Sequence, residues 1–278
     1  KSLGIGKGDE VITTPLTWII TINAISATGA KPIFADVGED FNIDPYSIKK
    51  LINKKTKAIL PMHYAGHVCD MVKIKKIANS HGLFLIEDAA QAFGASLNGK
   101  KAGTFSDVGA FSMNPMKVLN GYGENGLVVT NSKKLIKKLT MMRHAGTISN
   151  YKKKITNKCY YISLNHKMDS INAAALNVSF ENFSKKLKKL NQIANYYDKN
   201  LDKRIIKQKL HKGEVHGRYA YPIVFYKKNR NTIMNSLEKD GIQTRIFHSP
   251  LAHQTPVYKQ NTNRKFNTAE FLEKNSLV

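Results

Sequence analysis

The sequence predicts an α/β protein, with a mainly parallel sheet covered by helices in a large domain and a smaller C-terminal α+β domain. Three observations carry this reading. Short apolar runs alternate with helical patterns through the first half of the chain, which implies right-handed crossovers and a parallel sheet covered on both faces. At 278 residues and 42% hydrophobic content, the chain can bury one large core and a smaller one. Beyond a long helical stretch, Met168 to Leu190, two strand patterns flank a single helix.

Val11 to Thr14 reads as the first strand and Trp18 to Ala27 as the helix after it. Pro32 to Ala35 follows as a strand, then Pro45 to Ile52 as a helix opened by Asp44 as N-cap. Ala58 to Pro61 is a strand, Asp70 to Asn79 a helix, and Leu83 to Ile86 a strand whose continuous apolar run marks it as buried. Leu127 to Thr130 reads as a further strand, and Lys133 to Met142 as a helix ending near His144-Ala145-Gly146. The polar, lysine-rich stretch Thr147 to Lys158 reads as a mobile loop. In the C-terminal part, Tyr219 to Phe225 and Gln243 to Phe247 read as strands around a helix at Asn231 to Lys239.

The formal net charge is +24. Lysine pairs and triplets recur throughout (Lys49-Lys50, Lys54-Lys55, Lys133-Lys134, Lys152 to Lys154, Lys185-Lys186) instead of gathering into one stripe, which favours a solvated surface attractive to anions over a nucleic-acid site. The two cysteines, Cys69 and Cys159, form neither a disulfide framework nor a zinc motif, and a reducing cytoplasm fits them best. No apolar run reaches the roughly 18 residues of a membrane span.

Parallel sheets bind ligands beyond the carboxyl ends of their strands. Asp88, Ser112 and Lys117 each follow a strand pattern. Lys117 stands between the apolar run ending at Phe111 and the glycines Gly121, Gly123 and Gly126, and Ser112 offers a hydroxyl to a phosphate. A lysine held beside a carboxylate at a buried strand end points to pyridoxal phosphate (PLP) chemistry, which needs a lysine for a Schiff base and an Asp to keep the pyridine nitrogen protonated. Asp88 competes here with a helix-capping role and with its neighbour Glu87 for the part of the acid. Gln91 is placed to donate to a ring oxygen, and Trp18, the single tryptophan, either packs in the core or covers a flat heterocycle. His63 and His67 lack a third metal ligand nearby in sequence, so no metal is expected. No nucleophile elbow, P-loop or dinucleotide fingerprint is present.

Several short segments in a fixed order resemble the DegT/DnrJ/StrS family, the PLP-dependent aminotransferases of nucleotide-sugar biosynthesis, which share the fold type I of aspartate aminotransferase. They include Gly8-Asp9-Glu10-Val11-Ile12, Thr17-Trp18, Pro61-Met62-His63-Tyr64-Ala65-Gly66, Glu87-Asp88-Ala89-Ala90-Gln91-Ala92, Phe111-Ser112 with Pro115 and Lys117, Arg143-His144-Ala145-Gly146 and Asn165-His166-Lys167-Met168. The resemblance implies that Lys117 joins the cofactor and moves the proton at the sugar carbon, while Asp88 pairs with the pyridine nitrogen. It further implies that Gln91 contacts the ring oxygen, Trp18 covers the ring and Ser112 binds the phosphate. Asn165 would reach the phosphate of a neighbouring subunit, making the protein a homodimer with shared sites.

The expected activity is therefore transfer of an amino group, from glutamate, to C-3 or C-4 of a nucleotide-linked keto sugar in polysaccharide biosynthesis. Lys117-Val118-Leu119-Asn120-Gly121-Tyr122-Gly123-Glu124 leans toward C-3. A PLP-dependent sugar dehydratase, in which a histidine replaces the lysine, and a DNA-binding regulator are the competing readings. The large PLP-binding domain is expected at residues 1–180 and the small domain at 181–278. Lys167 stands where the family has Arg, and Asn125 where it has a small residue. Neither a phosphate loop before Gly4 nor a final helix after Val278 is in the sequence, so the chain reads as a fragment.

Overall fold

A computed structural model of the chain describes residues 1–148, 157–226 and 229–278. The loop expected at Thr147 to Lys158 and the lysines Lys152 to Lys154 fall largely or wholly outside the described residues. In chain order, β1 (Glu10–Thr13), α1 (Ile19–Ser26), β2 (Lys31–Phe34), α2 (Pro45–Lys49), β3 (Thr56–Ile59), α3 (Met71–Ser80) and β4 (Phe84–Asp88) fit the expected alternation within a few residues. Two short strands, β5 (Ser96–Leu97) and β6 (Lys100–Lys101), precede β7 (Val108–Ser112), β8 (Gly126–Val129) and α4 (Lys133–Arg143). There follow α5 (Ser170–Glu181), α6 (Phe183–Asn200), β9 (Ile206–Lys207), β10 (Glu214–Val215), β11 (Ile223–Val224), α7 (Arg230–Lys239), α8 (Asn267–Asn275) and β12 (Ser276–Leu277).

The central sheet has the order β2-β1-β3-β4-β7-β8. All its pairs are parallel except β7 with β8. The chain runs from β1 outward to β2 and then returns to β3 on the other side, so β1 and β3 flank a topological switch point where a ligand crevice opens. Polar caps fix the helix starts: Asp44 accepts from the N–H groups of Tyr46 and Ser47, and Asp70 from that of Lys73. One core, including Ile12, Ile48, Ile59, Ile74 and Leu85, lies between the sheet and α2 and α3. A second joins Leu16, Ile22 and Phe34 to Leu251, Tyr258, Phe266 and Leu272, so the C-terminal segment packs directly on α1 and β2.

Three expectations are corrected. The long helix at Met168 to Leu190 is broken at Asn182, which ends α5 and begins α6. The break lets Phe183 turn inward, where it meets Phe93 edge-on with centroids 5.0 Å apart. In the C-terminal part, Gln243 to Phe247 is no strand, although Arg245 exchanges both backbone hydrogen bonds with Val278. The strand expected from Tyr219 shortens to Ile223–Val224 because the N–H groups of Tyr219 and Ala220 both bond the Ala65 carbonyl.

Candidate active site

Successive residues of a strand point to opposite faces, so β4 sends Glu87 and Asp88 apart. Glu87 is fully buried. Its Oε1 accepts from Phe105 N at 2.8 Å, Ser106 N at 3.0 Å and Ser106 Oγ at 2.7 Å, and its Oε2 from Gly103 N at 2.8 Å. His63 Nε2 lies 3.0 Å from Oε2 while its Nδ1 accepts from Cys69 N. Burial works against the charge on Glu87, but the bonds from His63, Ser106 and Gly103 hold its carboxyl below the usual range. Both oxygens of Glu87 are thus engaged, by the 103–106 turn and by His63, and both nitrogens of His63 are occupied.

Asp88 faces the crevice instead. Its Oδ2 accepts from Thr21 Oγ1 at 2.7 Å and its Oδ1 from Ala90 N at 3.0 Å. Thr21 in turn accepts from Thr17 Oγ1 at 3.1 Å. Thr17 and Thr21 are one helical turn apart, and between them stands Trp18 at the N-cap of α1. The indole is 63% exposed, which rules out core packing as the reason for a tryptophan here.

Lys117 follows a tight turn in which its N–H bonds Asn114 O and Met116 N bonds the Asn114 side chain. Val118 and Leu119 anchor that turn in a cluster with Met113, Leu176 and Phe183. The Lys117 ammonium is left over the Tyr219 ring, 4.5 Å from its centroid. Desolvation pulls its pKa down, against the attraction of Asp88 and Glu124, and the net shift is downward. An amine so shifted is uncharged more often and is the better nucleophile.

Gln91, buried, accepts from Ala65 N at 2.7 Å through Oε1, which leaves its amide N–H₂ as donor. That group lies 3.3 Å from His248 Nε2. Loss of solvent, and then the charge of Lys117, push the His248 imidazole down to about 4, so it is neutral and can accept this bond. Ser112 closes β7 beside β4, two residues beyond the Ala110–Asp88 pairing and on the same face. Asn165 is exposed, its backbone bridged to His144, and it bonds none of these residues within the chain. Sequence reading had missed Thr17, Thr21, Tyr219 and His248; the Thr-Trp-x-x-Thr spacing across a helix start was the one available signal.

These groups fit PLP: a desolvated lysine amine, an ionic coupling of that amine to a carboxylate clamped by a hydroxyl and an N–H, a buried amide donor, a strand-end hydroxyl and an exposed aromatic face.

The DegT/DnrJ/EryC1/StrS aminotransferase family model matches residues 1–277. Among curated relatives, the pleiotropic regulatory protein of Geobacillus stearothermophilus is 34% identical, over 93% of this chain and 68% of its own length. The GDP-perosamine synthase of Vibrio cholerae is also 34% identical, over 93% of this chain and 70% of its own length. Among solved structures, S. venezuelae DesV in complex with a ketimine intermediate superposes with a TM-score of 0.92 at 31% identity, over 99% of this chain and 74% of that one.

Proposed function

The chain belongs to the DegT/DnrJ/EryC1/StrS aminotransferase family, and on that footing we propose that it carries an amino group from glutamate to a keto carbon of a nucleotide-linked sugar, with Lys117 and Asp88 as catalytic residues. Membership indicates PLP as the cofactor, which when bound supplies an electron sink for the carbon that loses or gains a proton. The observation that carries the reading is the downshifted Lys117 amine coupled to the clamped Asp88.

Lys117 would hold the cofactor covalently and, once released, take and return the proton at the reacting carbon; desolvation lowers its pKa from the ordinary value, which favours the free amine that this role needs. Asp88 holds the pyridine nitrogen protonated. Thr21 and Ala90 keep its two oxygens oriented so that no reorganisation is needed. Gln91 donates its amide to the ring oxygen, Ser112 donates its hydroxyl to the phosphate, and the exposed Trp18 covers the ring. Asn165 acts on the phosphate of the partner subunit, in a homodimer. Ile162, Leu164 and Ile171, which flank Asn165 and are 92%, 72% and 83% exposed, support an interface there.

The reading extends to a division near residue 181 between a PLP-binding and a small domain, to amination at C-3 in polysaccharide biosynthesis, and to the cytoplasm as compartment. Two free cysteines support the last, as does the finding that no helix of the described residues is long and apolar enough to cross a membrane. The lysine-rich surface favours a diphosphate-bearing substrate. The regulator reading keeps one observation, the similarity to the pleiotropic regulatory protein of Geobacillus stearothermophilus. Incubation of the protein with PLP, glutamate and a panel of nucleotide keto sugars, with the product identified by mass spectrometry and NMR, is the test. An aminated sugar is expected; no product from any sugar, with salt-sensitive DNA binding instead, would favour the regulator.

A further inference from the structure

Far along the chain from Lys117, three side chains from three segments converge. His67 follows the turn after β3, Asp40 lies in the loop after β2, and His211 precedes β10; one ligand atom from each falls within 4.8 Å of the others. The His67 side chain is wholly buried. The Nε2 atoms of His67 and His211 are both buried, and neither has a hydrogen-bond partner. Asp40 Oδ2 stands 3.3 Å from His67 Nε2 but out of line for a hydrogen bond, while Asp40 Oδ1 accepts from Asn42 N. A buried imidazole nitrogen without a partner costs free energy. Two such atoms in one cluster with a carboxylate make a place for a ligand that all three residues can share.

Glu214 completes the set from behind. Its carboxylate lies 2.8 Å from His67 Nδ1 and also accepts from Val68 N and from His211 N. In the tautomer that keeps its proton on Nδ1 toward Glu214, His67 presents its Nε2 lone pair toward Asp40 and His211. A carboxylate holding one imidazole nitrogen so that the other can ligate is the usual support of metal-binding histidines. We infer that Asp40, His67 and His211 bind a divalent first-row metal ion, with Glu214 orienting His67. Two imidazoles and a carboxylate suit zinc, which takes a water as fourth ligand in a tetrahedral set. Metal bonds of about 2.0–2.2 Å place ligand atoms about 3.4 Å apart. His67 and Asp40 already meet that spacing, so the adjustment falls on the half-buried His211.

The role of such an ion is structural. It fastens the 208–219 strap to the turn around His67, where Gln208 Nε2 bonds Asp40 O, Gly217 N bonds Gly66 O and Tyr219 N bonds Ala65 O. That strap carries Tyr219 beneath Lys117, and the turn carries the Ala65 N–H that holds Gln91. The site thus braces the reaction centre without touching it.

The test uses the untagged full chain, stripped with EDTA and titrated with zinc chloride in a non-chelating buffer. Bound metal is read by elemental mass spectrometry and stability by thermal unfolding. About one zinc per chain and a raised Tm are expected. Glu214→Gln weakens zinc binding about 10- to 100-fold, the range for an orienting carboxylate. His211→Ala and Asp40→Asn, at half-buried positions, weaken it at least as much while keeping the wild-type circular dichroism. Failure of the folded wild type to take up zinc overturns the site, and so does uptake by His211→Ala equal to wild type.

Discussion

Thr21 Oγ1 donates to Asp88 Oδ2 at 2.7 Å, tying the first turns of α1 to the end of β4. The bond is made to a charged acceptor and is largely shielded, since Thr21 is 8% exposed, so it is worth more than a neutral surface bond. It also fixes the helix whose N-cap is Trp18. A single hydroxyl therefore orients both the acid and the aromatic face proposed for the cofactor.

Thr21→Val keeps the shape and removes the donor. Loss of a hydrogen bond to a charged group is worth about 1.5–3 kcal/mol, so the rate of transamination is expected to fall roughly tenfold or more with the circular dichroism unchanged. Steady-state rates with saturating PLP check this. Turnover equal to wild type would show that Asp88 needs no clamp.

Lys117→Ala is expected to abolish transamination, and Asp88→Asn to lower turnover by orders of magnitude with the fold intact. After borohydride reduction of the wild type, peptide mass spectrometry is expected to find the phosphopyridoxyl label on Lys117. A label on any other lysine would sink the assignment.

How far these roles could be read in advance depended on distance along the chain. The alternation from β1 to β4 and the cap Asp44 are local signals, and they were legible; Asp70, read as the first residue of its helix, caps it instead. Asp88 and Ser112, expected just after their strands, are the last residues of β4 and β7, but the placement of Lys117 beyond a strand was legible too. Thr21 was not, because its partner lies 67 residues away and only the closed sheet brings them together. Asn182 is compatible with a continuing helix; what breaks it is the burial of Phe183 against Phe93, a tertiary effect. The same holds for His67, whose companions come from distant loops. The choice between Glu87 and Asp88 was available from strand alternation, once the face toward α3 and the face toward the crevice could be told apart.

Glu87 has the opposite character from Asp88, and its variant separates the two. In Glu87→Gln an amide N–H₂ must face N–H donors or the His63 ring, leaving buried groups unpaired, so a loss of about 3 kcal/mol in stability is expected. The pH dependence has a definite sign. The folded-state pKa of Glu87 lies below its ordinary 4.5, so its stabilisation is full above that pH and is lost as pH falls through the folded value. Thermal unfolding from pH 7 downward is therefore expected to show a wild-type Tm that drops more steeply below about 4.5 than that of Glu87→Gln. Parallel curves would show that folding leaves the pKa of Glu87 unshifted.

The remaining prediction concerns Asn165, which lies on the surface among exposed apolar side chains and bonds nothing at the Lys117 site of its own chain. If it acts on the partner's cofactor phosphate, association builds the pocket, and PLP stabilises the dimer by linkage. Asn165→Ala is then expected to weaken PLP retention, and Lys117→Ala to be inactive. In a heterodimer of the two variants, one site carries both defects and the other carries neither. Random exchange makes half of the dimers mixed, each with one sound site, so an equal mixture is expected to recover about a quarter of wild-type activity. Activity is measured before and after exchange, with mixed dimers confirmed by native mass spectrometry. If mixed dimers form and no activity returns, Asn165 acts within its own chain or has no part in the site, because only a residue acting in trans can leave one of the two sites intact.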